Sequence, residues 1–212
     1  MMEYEVRFYF SNKKLKSILQ ELRSFAELSS PGWTFEKTIQ YEHPCPEFSF
    51  YQKSVDGRFR LRETRGESSE KCKLSWKRRL PETHSGEINR EEEVELTIKP
   101  DEIDNFIFLA EKVLHLEPVE SYERYRTIFE NTEVEIAVDE YPFGVALEIE
   151  AKKSAKEPEK IVAVWVKKLG LELGQAFRLS WDDKYRELCE EQNVPQLKHV
   201  AFGAKMPEMR DE

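Results

Sequence analysis

Residues 133–150 carry the sequence pattern that most constrains the fold of this chain. Valine, isoleucine and leucine alternate there with polar residues in two runs, which are separated by a segment containing Pro142 and Gly144. Because strand side chains alternate between two faces, the runs predict a β-hairpin with one apolar and one polar face. Most of the polar face is acidic: Glu133, Glu135, Asp139, Glu148 and Glu150. Like charges on neighbouring strands repel, so this hairpin requires positive partners from elsewhere in the chain.

Composition narrows the class of protein. The 212 residues suffice for one domain with a substantial core, or for two small ones, and the 12% of aromatics argue against disorder. The net charge of -9 excludes a broad basic surface, so no nucleic-acid duplex is expected as a partner. The longest apolar stretch, residues 161–166, is too short to cross a membrane, and because charged residues occur from Glu3 onward we expect no secretion signal. Three widely spaced cysteines are typical of reduced thiols, so we expect a cytoplasmic protein.

The alternation of apolar and charged residues recurs along the chain. Strands are predicted at residues 3–10, 33–41, 58–62, 73–80, 91–99 and 122–129, and residues 48–51 are predicted to begin another. Residues 64–71 and 81–89 are predicted to be loops. The charged faces come in blocks of one sign: acidic at 3–10, 91–99 and the hairpin, and basic at 58–62, 73–80 and 122–129. About eight strands therefore each present one apolar face and one charged face.

Helical spacing of apolar residues appears between and after these strands. It predicts a helix after residue 11, a second from residue 100 whose apolar stripe reaches residues 113 and 114, and two more at 158–169 and 180–188. Ser180 and Asp183 are spaced as a capping box for the last helix. The signal fades beyond Pro195, so we expect a loosely held tail there. Four residues are interpreted as packing residues: Trp33, Trp76, Trp165 and Trp181.

Two arrangements accommodate these strands. One is an antiparallel sheet with a solvated, salt-bridged outer face, which is ordinary for any single strand because surface ion pairs contribute only about 0–1 kcal/mol. The other is a closed barrel whose charged faces point into a wet lumen and whose apolar faces are covered by helices. Such a lumen must hold counter-charge, because dry burial of so many ions would be unfavourable by several kcal/mol each. Arginine and lysine rows suit phosphates, and clustered carboxylates suit Mg²⁺ or Mn²⁺.

The order of the charged motifs resembles that of the CYTH family, also called triphosphate tunnel metalloenzymes. The first strand reads Glu3-Tyr-Glu-Val-Arg7, similar to the family's E-x-E-x-K, with arginine in place of lysine. Later motifs match in the same order: Arg60-Leu-Arg62, the lysine strand with Lys77 and Arg79, Arg124-Tyr-Arg126, and Asp139 followed by Phe143-Gly144 and Glu148-Ile-Glu150. Each motif alone is weak, whereas all of them in family order form a specific signal.

The resemblance implies an α+β fold: a closed antiparallel eight-stranded β-barrel, or tunnel, with a charged lumen and flanking amphipathic helices. It implies a tunnel domain over residues 1–192 and a C-terminal tail over 193–212. One or two Mg²⁺ or Mn²⁺ ions would be held by Glu3, Glu5, Asp139, Glu148 and Glu150. A triphosphate would be bound by Arg7, Arg60, Arg62, Lys77, Arg79, Arg124 and Arg126. No further catalytic side chain is assigned.

The resemblance leaves several functions open. The favoured one is a metal-dependent phosphohydrolase acting on tripolyphosphate, a nucleoside triphosphate or thiamine triphosphate in the lumen, with orthophosphate as a product. The main alternative is a class IV-type adenylate cyclase, which would convert ATP to cyclic AMP and pyrophosphate. A further alternative is a non-catalytic module that binds polyphosphate or a nucleotide. A triphosphate-containing small molecule is the expected partner, no membrane partner is expected, and a homodimer remains open.

Overall fold

Alternating charged and apolar residues form a closed barrel in the computed structural model, which describes residues 2–52, 55–67, 70–80 and 88–210. Eight strands of the described chain build it: β1 (Met2–Phe10), β2 (Ser29–Glu42), β3 (Gly57–Arg65), β4 (Glu70–Arg79), β5 (Asn89–Ile98), β6 (Glu117–Glu130), β7 (Val134–Tyr141) and β8 (Gly144–Ala151). Their order is β2-β3-β4-β5-β1-β8-β7-β6, and pairing of β2 with β6 closes the ring. All these pairings are antiparallel. The predicted α+β fold and eight-stranded barrel are confirmed.

The apolar faces of the strands point outward and are covered by helices. Helices α1 (Leu15–Ser24) and α3 (Pro158–Lys168) cover β1, β7 and β8, where Val6, Leu22 and Trp165 share one core. Helix α2 (Ile103–Phe108), continued by a π-helix (Leu109–Val113), covers β2, β3 and β4. The predicted stripe on this helix is too long, because Val113 and Leu114 are exposed. In the described part of the chain, no helix has the length and apolar character needed to span a membrane.

Helix α4 (Trp181–Glu191) and the segment after it close one end of the barrel. The predicted capping box is confirmed: the Ser180 backbone N–H donates to Asp183 over 3.1 Å. The prediction of a loosely held tail beyond Pro195 is wrong for the described residues. A short ninth strand, β9 (His199–Val200), pairs in parallel with β6, and the Met209 N–H donates to the Phe143 carbonyl over 2.8 Å. Apolar side chains of this segment cover the aromatic residues of α4 and β6, which explains its attachment. The domain boundary at residue 192 stays a prediction.

Two local predictions are corrected. Residues 48–51 do not begin a strand, because the Glu42 carboxylate accepts hydrogen bonds from the N–H groups of Phe50 and Tyr51 and curls this segment after a 3₁₀ turn (Pro46–Phe48). Residues 64–71 are not simply a loop, because β3 and β4 extend into it and place Arg65 opposite Glu70. The predicted loop at 81–89 lies mostly outside the described residues, and β5 has already begun at its last residue.

Gly57 lies where β3 passes under the ring of Trp76 on β4. A Cβ atom at this position would overlap that ring, whereas a Cβ at Gly174 would meet nothing within 4 Å. We expect Gly57→Ala to lower the free energy of unfolding by about 1–3 kcal/mol through overpacking. Gly174→Ala should change it by less than about 0.5 kcal/mol. Urea denaturation measures both, and equal stabilities of the two variants would contradict the packing described.

Candidate active site

The inward-facing polar side chains enclose a cavity of about 910 Å³. At one end the lining residues are exposed and include Gly32, Trp33 and Lys153. At the other end lie the buried rings of Trp181, Tyr122 and Tyr141, and the Trp181 and Tyr122 ring centres are 4.3 Å apart. The lumen is therefore a cup that opens to solvent at one end and ends in an aromatic floor at the other.

One side of the lumen carries a cluster of three carboxylates. Glu3 and Glu5 lie on β1, and Glu150 lies opposite Glu5 on β8. One carboxylate oxygen from each residue lies within 4.8 Å of the other two. Burial, together with the charges of Glu3 and Glu5, raises the pKa of Glu150 to about 9. This cluster therefore has more negative charge than its surroundings stabilise, and a cation would relieve the repulsion.

Lys77 on β4 reaches into this acidic cluster. Its Nζ atom lies 3.0 Å from a Glu3 carboxylate oxygen, 3.0 Å from Glu5 and 2.9 Å from Glu91. Burial alone would lower the pKa of Lys77, but the surrounding carboxylates raise it above its ordinary value. The ammonium group therefore keeps its proton and contacts three carboxylates from two strands, β1 and β5.

The adjoining wall is a network of arginines and carboxylates. Arg124 donates to Glu36 over 2.8 Å and to Asp139 over 2.7 Å. Arg126 donates to both oxygens of Asp139, over 2.7 and 2.8 Å, and also to Glu148. The Asp139 side chain is fully buried beneath the two guanidinium groups that it contacts. It therefore orients both arginines and does not itself face the lumen. Bidentate pairs of this kind fix the plane of an arginine.

Three further cations complete the wall. Arg7 donates to Glu148 over 2.6 Å and to Glu5 over 3.2 Å. Arg62 donates to the Thr38 hydroxyl over 3.3 Å. Arg60 lines the lumen and is 8% exposed, yet it forms no ion pair with any described residue. Arg60 is thus a nearly buried positive charge that pairs with no carboxylate among the described residues, as expected of a residue that binds an anion.

The structure brings most of the sequence-predicted site residues to one lumen. The predicted cations Arg7, Arg60, Arg62, Lys77, Arg124 and Arg126 all line it. Arg79 does not: it lies 3.5 Å from Glu91 and 3.8 Å from Asp56. Of the five predicted metal ligands, Glu3, Glu5 and Glu150 form the cluster, Glu148 lines the lumen but pairs with arginines, and Asp139 is buried behind them.

Sequence reasoning missed several residues of this site. Glu36 balances the charge of Arg124, and Trp181 forms part of the floor although it was interpreted only as a packing residue. Glu91, which contacts Lys77, was predicted to lie on an acidic strand face but was not assigned to the site. A signal for Glu36 was present, because β2 has a polar face of Thr34, Glu36, Thr38 and Gln40. Tyr122 was missed because a tyrosine two residues before an arginine motif resembles any strand aromatic.

Tyr122 occupies an unusual electrostatic position. Its ring packs on Trp181, and the Arg124 guanidinium carbon lies 6.0 Å from its ring centre. Burial alone would raise the pKa of the phenol, but the charges of Arg62, Arg124 and Arg60, with a hydrogen bond to Thr38, lower it to about 7. By contrast, burial raises the pKa of the neighbouring Tyr141 phenol.

These opposite shifts lead to a spectroscopic prediction. In the wild-type protein, one phenolate should form with a midpoint near pH 7, which an absorbance titration in the near ultraviolet detects. The signal should vanish in Tyr122→Phe and persist in Tyr141→Phe, because only the first variant removes the phenol with the lowered pKa. A wild-type protein that forms no phenolate until about pH 10, the ordinary tyrosine range, would contradict the described arginine environment.

Comparison with known proteins finds a matching family model and solved structures of similar fold. The sequence model of the CYTH domain family matches residues 1–175. No curated protein sequence matches the chain. Among solved structures, the PH1819 protein of Pyrococcus horikoshii is similar with a TM-score of 0.66 and 24% identity, over 90% of this chain and 99% of that one.

A second similar structure is HpAC1 from Hippeastrum, described as a candidate adenylyl cyclase with a dominant triphosphatase activity. It has a TM-score of 0.59 and 18% identity, over 87% of this chain and 95% of that one. A candidate adenylate cyclase from Vibrio parahaemolyticus has a TM-score of 0.63 and 16% identity, over 86% of this chain and 97% of that one. At these identities the likeness concerns the fold.

The closed eight-stranded barrel and its charged lumen define the structural class of this protein. The chain belongs to the CYTH family, since the family model covers most of its length. Enzymes of this family include triphosphatases and adenylate cyclases, and they bind triphosphates and depend on metal ions.

Proposed function

We propose that this protein is a divalent-metal-dependent phosphohydrolase that acts on a triphosphate bound in the barrel lumen. The observation that carries the proposal is the separation of charge within one cavity. Glu3, Glu5 and Glu150 converge on one side. The arginine wall lies beside them and includes Arg60, which forms no ion pair within the described part of the chain. A polyphosphate with a bound metal ion is a ligand that would use both parts of the cavity, the carboxylates for the metal and the arginines for the phosphates.

The carboxylate cluster fits a hard divalent cation. All three groups are oxygen donors, which Mg²⁺ and Mn²⁺ prefer, and they come from two adjacent strands of a rigid barrel. We propose Glu3, Glu5 and Glu150 as the residues that hold the ion. When bound, Mg²⁺ or Mn²⁺ would supply neutralisation of phosphate charge and a more acidic water.

The arginines position the phosphate chain. Asp139 orients Arg124 and Arg126, and Glu148 orients Arg7 and Arg126, so these guanidinium groups are fixed before an anion arrives. Preorganised charges aimed at the transferred phosphoryl group are the main source of catalysis in phosphoryl transfer. We therefore assign Asp139 and Glu148 to positioning of the arginines that bind the substrate. Arg79 remains a candidate substrate ligand from the family motif, although its observed partners are Glu91 and Asp56.

The cyclase alternative uses the same residues with a different attacking group. In that reaction the ribose 3′-hydroxyl attacks the α-phosphorus, and pyrophosphate leaves. The likeness to candidate cyclases keeps this alternative open, whereas the dominant triphosphatase activity described for HpAC1 favours hydrolysis as the main reaction of such a lumen. A non-catalytic polyphosphate-binding module would show binding without product.

Product analysis separates these functions. The protein is incubated with tripolyphosphate or ATP and with Mg²⁺ or Mn²⁺, and the products are resolved by chromatography. We expect orthophosphate from wild type, at least about 100-fold less from Arg60→Ala, and an unchanged rate from Arg65→Ala, an exposed arginine on the same strand. Cyclic AMP with pyrophosphate would assign the protein to the cyclases. Equal activity of Arg60→Ala and wild type would overturn the lumen as the site.

Two smaller parts of the proposal concern location and assembly. The three cysteines are unpaired, which supports the expected reducing, cytoplasmic compartment. A homodimer stays open, and gel filtration with light scattering would decide it.

A further inference from the structure

Lys77 was predicted to bind substrate, yet its ammonium group contacts three carboxylates. Two of them, Glu3 and Glu5, belong to the carboxylate cluster proposed to hold the divalent ion. The third contact, Glu91, comes from β5 and brings a further carboxylate to the same ammonium. A lysine therefore lies against the same oxygen atoms that a divalent cation would need.

The distances show that Lys77 and a divalent ion cannot use these oxygens at the same time. The ammonium stands 2.9–3.0 Å from its three carboxylate oxygens. Mg²⁺ requires oxygen ligands at about 2.0–2.1 Å and tolerates little deviation. The two cations cannot occupy one set of oxygens together, because like charges at this separation repel strongly.

The surroundings offer Lys77 a second partner. Its side chain lines the lumen, as do those of Arg60 and Arg62, and it is 15% exposed, so part of it faces the space proposed for the phosphate chain. The long flexible stem of lysine lets an ammonium exchange partners more readily than a paired, planar guanidinium does. Arg7 and Arg126, which are tied to Glu148 on the same wall, lack this freedom.

We propose that Lys77 is an internal substitute for the divalent ion, which leaves Glu3 and Glu5 when the ion binds and then contacts the triphosphate. The proposal rests on the proposed function for the identity of the two ligands. Lys77 thereby neutralises the carboxylates in the absence of metal and links metal binding to phosphate binding. No bond is made or broken; one ion pair exchanges for another.

The proposal predicts effects of opposite sign on two ligands. Lys77→Met removes the competing charge, so Mn²⁺ alone should bind about tenfold more tightly than to wild type, measured by titration calorimetry without substrate. The same variant should bind tripolyphosphate about tenfold more weakly at saturating Mn²⁺, because the phosphate contact is lost. A purely structural lysine would weaken both.

Lys73→Met is the matched control. Lys73 lies on the same face of β4 and also lines the lumen, but it pairs with Glu95 over 2.7 Å and not with the carboxylate cluster. The Lys73→Met variant loses the same charge as Lys77→Met, but at a position outside the carboxylate cluster. Its Mn²⁺ affinity should therefore stay within about twofold of wild type. Equal tightening in Lys73→Met and Lys77→Met would show a general charge effect and overturn the exchange.

A second measurement uses wild type and does not depend on the folding of a variant. Acetylation of Lys77, followed by mass spectrometry, should increase when Mg²⁺ is added without substrate, because the freed ammonium becomes reactive. Unchanged labelling of Lys77 at a Mg²⁺ concentration that saturates binding would overturn the proposal, as would the absence of Mn²⁺ binding in wild type. If Lys77 exchanges its partners as predicted but no triphosphate gives a product, the role assigned to Lys77 is retained. Only the proposed hydrolysis is then refuted.

Discussion

Asp139→Asn is expected to lower the free energy of unfolding by about 3–5 kcal/mol, the largest stability effect among the described ion pairs. The Asp139 side chain is fully buried and receives hydrogen bonds from Arg124 and Arg126. Asparagine has nearly the same size, so the variant removes the negative charge without opening a cavity. Two guanidinium groups then remain close together with too little negative charge between them, which is the costly consequence of breaking a buried pair.

Urea denaturation measures this effect, and a surface pair provides the control. Glu27 and Lys168 form an ion pair in which both side chains are more than a third exposed. Glu27→Gln should change the free energy of unfolding by only about 0–1 kcal/mol, because water replaces the lost partner. If Asp139→Asn had an effect as small as Glu27→Gln, the arginine wall would not be the fixed, desolvated network described above.

Glu150→Gln is expected to reduce metal-dependent kcat/KM by at least about 100-fold. The amide is similar in shape to the carboxylate but is a much weaker ligand for Mg²⁺ or Mn²⁺. It also removes one of three mutually repelling carboxylates, so the folded protein should not be destabilised. The loss of activity would then arise from the site and not from unfolding, which a thermal melt of the same sample checks.

Glu95→Gln separates the role of the cluster from the loss of any lumen charge. Glu95 lines the same lumen but pairs with Lys73, outside the carboxylate cluster. Its substitution should change kcat/KM by only a few-fold, as expected for a partly exposed pair. Equal losses in Glu95→Gln and Glu150→Gln would contradict the assignment of Glu3, Glu5 and Glu150 as the residues that hold the ion.

The barrel could be predicted from the sequence because its pattern is periodic and repeated. Strand side chains alternate with period two, so each run indicates which residues share a face. The charge blocks alone fitted either a solvated sheet or a closed barrel, and the order of the charged motifs, which resembles that of the CYTH family, favoured the barrel. Helix spacing then supplied the outer cover, as α1 and α3 show in their shared core with β1, β7 and β8.

The pairing of charges inside the barrel could not be predicted in the same way. Alternation assigns a side chain to a face but not to a height along the barrel, which depends on strand register. Register places Glu150 opposite Glu5 and Glu148 opposite Arg7. Two glutamates of one short motif therefore have different neighbours: one joins the carboxylate cluster, and the other orients an arginine.

Irregular segments were predicted least well. The hydrogen bonds of Glu42 that curl residues 43–51 involve a single carboxylate and have no periodic signature. The attachment of the C-terminal segment depends on contacts of Val200 and Met209 with distant aromatics, which no local pattern in a polar stretch indicates.

The most direct test of the central claim is a crystal structure with Mn²⁺ and tripolyphosphate, in which anomalous diffraction locates the metal. We predict a Mn²⁺ peak bounded by Glu3, Glu5 and Glu150, and a phosphate chain within hydrogen-bond distance of Arg60. Mn²⁺ on the outer surface, or a phosphate chain outside the lumen, would contradict the account of this protein as a triphosphate tunnel enzyme.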